Sequence, residues 1–405
     1  MNYQQIRKIL SDTAYERTAG SPEELACAQY IRDYCSKLGL DAKLEPFEIN
    51  TQNEIRTTLK IDGKEIPVKS YLGSANGELV TKICYLEDTS KPSLKKCKDK
   101  IVLLDKGVGK KTYLELCSYG ALGFVTYSGD MQYPDSDIGF KEIRYDIGDN
   151  KRLFALNINI NDALYIANKG SCSCELSVEQ EVVKSTSYNV VVTIPGKTAE
   201  QIIVTAHYDS THLSLGAYDN MTGCIALLHL ADTLRAKELE RGVTLVWCGS
   251  EERGLVGSLA YCEKHIDDLK NARLNINLDM LGSIMGGFVA FSCANEQVTT
   301  LLEKFLKENN YCGTVNYAIR SSDSNSFVKY GIPAVSFARY APSGAAKIHT
   351  RYDTCAVVSA KKISTDMKIV EKFTKMVANL PNLKEIATIS EKISTDVSDY
   401  FSRNR

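Results

Sequence analysis

Short apolar, β-rich runs recur along the second half of the chain, and each leads directly into a polar side chain able to bind metal. IIVTA precedes His207, VTLVWCGS precedes Glu251 and Glu252, LNINL precedes Asp279, and AVSFARYAPSGAAKI precedes His349. Helical patterns separate most of these runs. The alternation predicts an α/β unit with a mixed, mostly parallel central sheet flanked by helices. In such sheets the carboxyl ends of the strands line the crevice where ligands bind, so residues distant in sequence converge there.

Residues 3 to 39 read as two helices broken at Thr18-Ala-Gly-Ser-Pro22, the second with Ala26, Tyr30, Ile31, Tyr34 and Leu38 along one face. A strand, DAKLEPFEIN, follows. From about 57 to 184 the texture changes to short β-like runs (TLKIDG, KICYLED, KIVLLDKG, GFVTYSG, FALNI, CELSVEQEV) with one clear helix near KKTYLELCSYGA. The α/β alternation starts at SYNVVVTIPG and runs to a helix over about Ser359 to Leu380, which Pro381 ends. The predicted organisation is therefore a domain made of 1–56 and 185–382, an inserted mainly β domain over 57–184, and a helical tail over 383–405.

In that tail Ile386, Ile389, Ile393, Val397 and Phe401 form one narrow stripe. A helix docked on its own domain is the simpler reading, and an oligomer contact through the C-terminal helix the sharper one. KISTD occurs at 362 and again at 392, too short a match to count as a repeat.

A chain of 405 residues exceeds one typical domain and can bury a large core. Its formal net charge of -1, with basic and acidic residues interspersed, offers no surface for nucleic acid or acidic lipid. No window reaches the unbroken apolar length of a membrane span, and MNYQQIRKILSDTAYERTAG lacks the apolar stretch of a signal peptide, so a cytoplasmic location is expected. The 13 cysteines contain no CxxC pair and lie largely in apolar runs, which reads as buried reduced thiols rather than a disulfide framework. Cys172 and Cys174 are a weak metal signal.

Imidazole nitrogen and carboxylate oxygen are zinc ligands, and a catalytic zinc keeps one position open for water. Two such ions about 3.5 to 4 Å apart can clamp the attacking and developing oxygens of a hydrolytic displacement. His207, Asp219, Glu252, Asp279 and His349 supply such a site, with Asp219 best placed to bridge. If Glu252 binds metal, its neighbour Glu251 is free as general base and later proton donor to the leaving amine. Asp209, two residues beyond His207, has the spacing to fix the imidazole tautomer. Each fragment alone is weak, since adjacent glutamates usually face solvent and Asp at a strand end is often a helix cap. The whole set, in a chain with five histidines, is far harder to produce by accident. Of the others, His229 reads as packed in an apolar helix, His265 as solvated, and His212 as a loop residue beside the site.

The segments AHYDS at 206, GAYDNMTG at 216, GSEERGLVGS at 249, NLDMLG at 277, SSDSNSF at 321 and HTRYDT at 349 together resemble the co-catalytic di-zinc peptidases. That family includes bacterial leucyl aminopeptidase, aminopeptidase Y, glutamate carboxypeptidase II and the transferrin receptor. RTAGS at 17 resembles the family's opening, and the likeness covers roughly residues 1 to 380. The resemblance implies one Zn2+ on His207 and Asp279, a second on Glu252 and His349, Asp219 between them, Glu251 as base and Asp209 behind the ligands. It also implies a cis peptide at Asp219-Asn220.

KCKDKIVLLDKG and YLELCSYGALGFVTY resemble the protease-associated domain that shapes access in several members. The chain departs from many members in carrying Ser324 after Asp323. Tyr317, Tyr340 and Tyr352 are candidates for an oxyanion partner, and Arg320 for binding a carboxylate. The expected function is a zinc aminopeptidase acting on peptides with a free amino terminus. Its rivals are a carboxypeptidase, which would draw its cationic pocket from Arg320, Arg339 or Arg351, a single-zinc glutaminyl cyclase, and a metal-free binding protein.

Overall fold

The computed structural model describes residues 1–105, 107–129 and 138–404. The chain forms two compact units. One consists of Met1–Ile49 with Thr186–Asp399, and the other of Asn50–Ser185 with the residues from Tyr400 on. Two long strands, Ala42–Ile61 and Ser171–Ile194, contain the points where the chain passes from one unit to the other.

In the first unit the strand order is Gly313–Asn316, Gly287–Cys293, Ala334–Tyr340, Ala272–Leu278, Gln201–His207, Gly242–Cys248 and the end of Ser171–Ile194. The central four, from Ala334–Tyr340 to Gly242–Cys248, are parallel to their neighbours within that group. Antiparallel pairs flank them, Gly287–Cys293 on one side and Val190–Ile194 on the other. This is the mixed, mostly parallel sheet that the apolar runs predict. Strands buried on both faces need continuous apolar runs, and alternation within them sorts the faces. Val243, Leu245 and Trp247 join the core formed with helices Tyr3–Asp12, Pro22–Lys37, Thr222–Leu234 and Ala360–Asn379. Val246 and Cys248 face Tyr261, Cys262 and Phe327 on the other side.

Capping explains several boundaries. Ser21 accepts from Glu24 N ahead of Pro22 in the first turn of its helix, and Ser359 caps Ala360–Asn379. In the C-terminal stripe Ile393 and Val397 are buried within their own chain, and Ser390 N donates to Ala294 O.

In the second unit a sheet runs from the first part of Ser171–Ile194 through Gly77–Leu86, Lys100–Leu104, Gly123–Ser128, Phe154–Asn159 and Val68–Leu72 to Lys141–Glu142. It carries the expected helix at Lys110–Ser118 and one that the sequence reading leaves out, Ile160–Lys169. Asn159 caps that helix and Gly170 ends it at φ 75°. Its apolar residues Ile160, Ala163 and Ile166 have helical spacing, and the adjoining β run FALNI conceals them.

Candidate metal centre

Three strand ends and two further segments bring the predicted residues together. His207 closes Gln201–His207, Asp279 follows Ala272–Leu278, and Glu251 and Glu252 start the turn after Gly242–Cys248. Asp219 lies in the short segment Ala217–Met221, where Asp219 and Asn220 are non-helical and joined by the expected cis peptide. His349 departs from the sequence picture, because its strand ends at Tyr340 and the histidine sits in the loop beyond Pro342 and Gly344. Ser250, Met280 and His349 all have left-handed backbone, at φ 56°, 54° and 58°, a conformation uncommon outside glycine and concentrated here at candidate ligands or beside them.

The two oxygens of Asp219 point to different histidines. Oδ1 is 3.1 Å from His207 Nε2 and Oδ2 is 3.1 Å from His349 Nε2. Asp279 Oδ1 approaches His207 Nε2 at 3.6 Å, and Glu252 Oε1 approaches His349 Nε2 at 3.2 Å. Two sets of donors, His207–Asp219–Asp279 and Asp219–Glu252–His349, each gather within 4.8 Å, and Glu251 joins a third set with His207 and Glu252. Asp279 Oδ1 is buried without a hydrogen-bond partner, and buried carboxylates require partners or cations. A nitrogen and oxygen donor set with one shared carboxylate fits a pair of zinc-like ions.

Electrostatics at the site follow from crowding. Burial pulls the His207 imidazole down, but the carboxylates of Glu251, Asp209, Asp219 and Asp279 outweigh it and hold the group well above its usual value. Desolvation, aided by the Glu252, Asp323 and Asp279 carboxylates, pushes the Glu251 carboxyl well up. Burial raises Asp219, yet His207 and His349 dominate and keep it low.

Asp209 is fully buried and its carboxylate accepts Glu251 N at 3.0 Å and Glu252 N at 3.1 Å, with Oδ1 3.4 Å from His207 Nδ1. It therefore positions the glutamate turn as well as facing the imidazole, which is more than its spacing from His207 suggests. Asp353 accepts Tyr218 N at 2.7 Å and Asp219 N at 3.0 Å. Asn220 donates to Leu278 O and accepts from Gly223 N and Met280 N. A Cβ on Gly223 would lie 2.5 Å from Leu278 O, so only glycine allows that approach. Glu24 accepts from Gly20 N, Ser187 Oγ and Ser250 N, and buried Arg17 donates to Tyr208 O, Thr13 O, Leu215 O and Gly216 O.

Sequence reasoning assigns no role to Asp353, Asn220, Glu24 or Arg17. Their signal is position, since Arg17, Asn220 and Asp353 sit inside the RTAGS, GAYDNMTG and HTRYDT segments. The remaining histidines divide as follows. His229 is buried against Glu371 at 2.8 Å. His265 is bonded to Glu45 and Asp268 rather than merely solvated. His212 bonds to Glu16 at 2.6 Å. Tyr317 gives its hydroxyl to Ser390. Arg339 is held by Asp366 through Nε and Nη2.

Residues 189–374 match Peptidase family M28. Aminopeptidase YwaD of Bacillus subtilis (strain 168) is 27% identical over 287 residues, 68% of this chain and 60% of that protein. Leucine aminopeptidase 2 of Arthroderma otae is 24% identical over 328 residues, 73% of this chain and 62% of that protein. The matched region thus spans about three fifths of these relatives' length. Among solved structures, a zinc aminopeptidase from Bacillus subtilis superposes with a TM-score of 0.80 at 21% identity, covering 97% of this chain and 98% of that one. An aminopeptidase from Aneurinibacillus sp. strain AM-1 gives 0.74 at 23% identity, covering 96% and 95%. These likenesses establish the fold, and within it residues 189–374 are similar to peptidase family M28.

Proposed function

We propose that this protein is a zinc-dependent aminopeptidase that hydrolyses the first peptide bond of substrates with a free amino terminus. The observation that carries the reading is the division of the Asp219 carboxylate between His207 and His349, with Glu251 beside them. His207, Asp219 and Asp279 would hold one ion, and Asp219, Glu252 and His349 the other. Bound there, the pair would supply Lewis acidity toward the scissile carbonyl and acidify water. Glu251 takes the proton of the attacking water and returns it to the leaving amine, a role suited to a carboxyl whose proton affinity is raised by its surroundings. Asp209 keeps Glu251 and Glu252 in place through their backbone amides. The names of the relatives support the choice of an amino-terminal bond.

The test is metal content per chain with hydrolysis of amino-acyl nitroanilides, blocked and unblocked, for wild type and Glu251→Gln. Two metals, cleavage of unblocked substrates only, and a nearly inactive variant that keeps its metals are expected. Two metals without such activity would favour the carboxypeptidase, a single metal without it the cyclase, and absence of tightly held metal a binding protein.

A further inference from the structure

Three arginines near the site motifs could meet a substrate carboxylate, and their surroundings differ. Arg339 is buried and spent on Asp366. Arg351 lies on the exposed part of the loop after His349. Arg320 is exposed, and its guanidinium carbon stands 5.1 Å from the centroid of the Phe291 ring. Among the described residues no carboxylate pairs with it.

Two side chains fix the backbone around Arg320. Asn325 Nδ2 donates to Arg320 O at 2.7 Å, and Cys293 Sγ donates to Ala318 O at 3.5 Å. Three residues on, buried Asp323 has its carboxyl pushed up to about 6 by burial and by the Asp209 and Asp279 charges, so this loop borders the metal centre. Phe291 in turn stands 6.0 Å from the Tyr340 ring. Tyr340 lies between Arg339, whose N–H donates to Met280 O next to Asp279, and Ala341, whose N–H donates to the Tyr218 hydroxyl next to Asp219. The result is a pair of tilted aromatic rings, Phe291 and Tyr340, with the Arg320 guanidinium over the Phe291 face. A cation–π contact with an aromatic face holds a guanidinium without consuming its N–H donors, and those donors suit bidentate pairing with a carboxylate.

We propose that Arg320 is a specificity residue that recognises a carboxylate on the substrate. This rests on the aminopeptidase reading above. The carboxylate could be the side chain of an amino-terminal Asp or Glu, or the terminal carboxylate of a dipeptide.

The experiment compares kcat/KM of zinc-loaded wild type, Arg320→Leu and Arg320→Lys on Leu-, Glu- and Asp-nitroanilide and on Leu-Gly and its amide. Arg320→Leu should lose about tenfold or more on carboxylate-bearing substrates and change Leu-nitroanilide little, with Arg320→Lys recovering part of the loss. A selective loss on Glu- and Asp-nitroanilide assigns the side chain as the source, and a selective loss on Leu-Gly relative to its amide assigns the terminal carboxylate. Equal changes on charged and neutral substrates, or none, would overturn the proposal. Failure of the wild type to cleave any unblocked substrate would overturn the aminopeptidase reading first, and this inference with it.

Discussion

The Asp209 carboxylate receives the backbone N–H of Glu251 at 3.0 Å, so the residue behind the first imidazole also fixes the proposed base. Replacing Asp209 with Ala would remove acceptors from two part-buried amides and a partner from His207. We expect Asp209→Ala to lose about 10- to 100-fold in activity or metal affinity, the usual range for groups that orient ligands. Kinetics alongside metal titration would separate the two effects. An Asp209→Ala enzyme with wild-type kcat and metal retention would show that the turn holds itself.

Glu251→Gln keeps the shape of the side chain and removes its capacity to carry a proton. The expected fall in kcat is about 10²- to 10⁴-fold. Metal content should stay at the wild-type level, since His207, Asp219, Glu252, Asp279 and His349 remain, and elemental analysis of the purified variant checks this.

Stripping the metals should lower thermal stability. Asp219, Glu251, Glu252 and Asp279 crowd around two imidazoles, and cations relieve that crowding only in the folded state. The melting temperature is expected to drop with a chelator and to recover when zinc is restored. A melting temperature indifferent to chelation would mean that the carboxylates are satisfied without ions.

Arg339 and Asp366 form a buried pair that also takes Gly282 N and the Tyr311 hydroxyl. Asp366→Ala would strand the guanidinium, which typically costs about 3 to 5 kcal/mol. Denaturant unfolding measures it, and a loss below about 1 kcal/mol would indicate that water replaces the partner.

In the second unit, burial pulls the Lys141 ammonium down to about 8 while it donates to Thr126 Oγ1 and Tyr127 O. Its folded value lies below the unfolded one, so the unfolded chain binds more protons between pH 8 and about 10.4 and stability from this group rises across that window. Relative to Lys141→Met, wild type should therefore gain stability as pH increases from 8 to 10. Parallel pH profiles for the two proteins would contradict this.

How much of this could be read in the sequence depends on the kind of relationship. His207, Asp279 and the glutamates were legible because each follows an apolar run, and a run buried on both faces signals a parallel strand whose end is a site. Asp353 and Glu24 were not, because each acts by receiving amides from segments far away in sequence, and no periodicity records the direction of a backbone N–H. Glu24 looks like an ordinary first-turn acid of a helix. The helix Ile160–Lys169 was hidden for another reason, its apolar spacing running straight on from the strand Phe154–Asn159.

His349 and Asp353 belong to one loop, the first reaching Asp219 with its ring and the second gripping the Asp219 amide. His207 and Asp279, by contrast, sit at strand ends, and His207 is nearly sealed while half of the His349 side chain is open to solvent. The two proposed cation positions are thus unlike in mechanical terms. One would be set in the frame of the sheet, and the other closed by a partly exposed clasp that carries both a ligand and the support for the shared carboxylate. Loading should accordingly be ordered, with the frame position filling first and the clasp position exchanging faster.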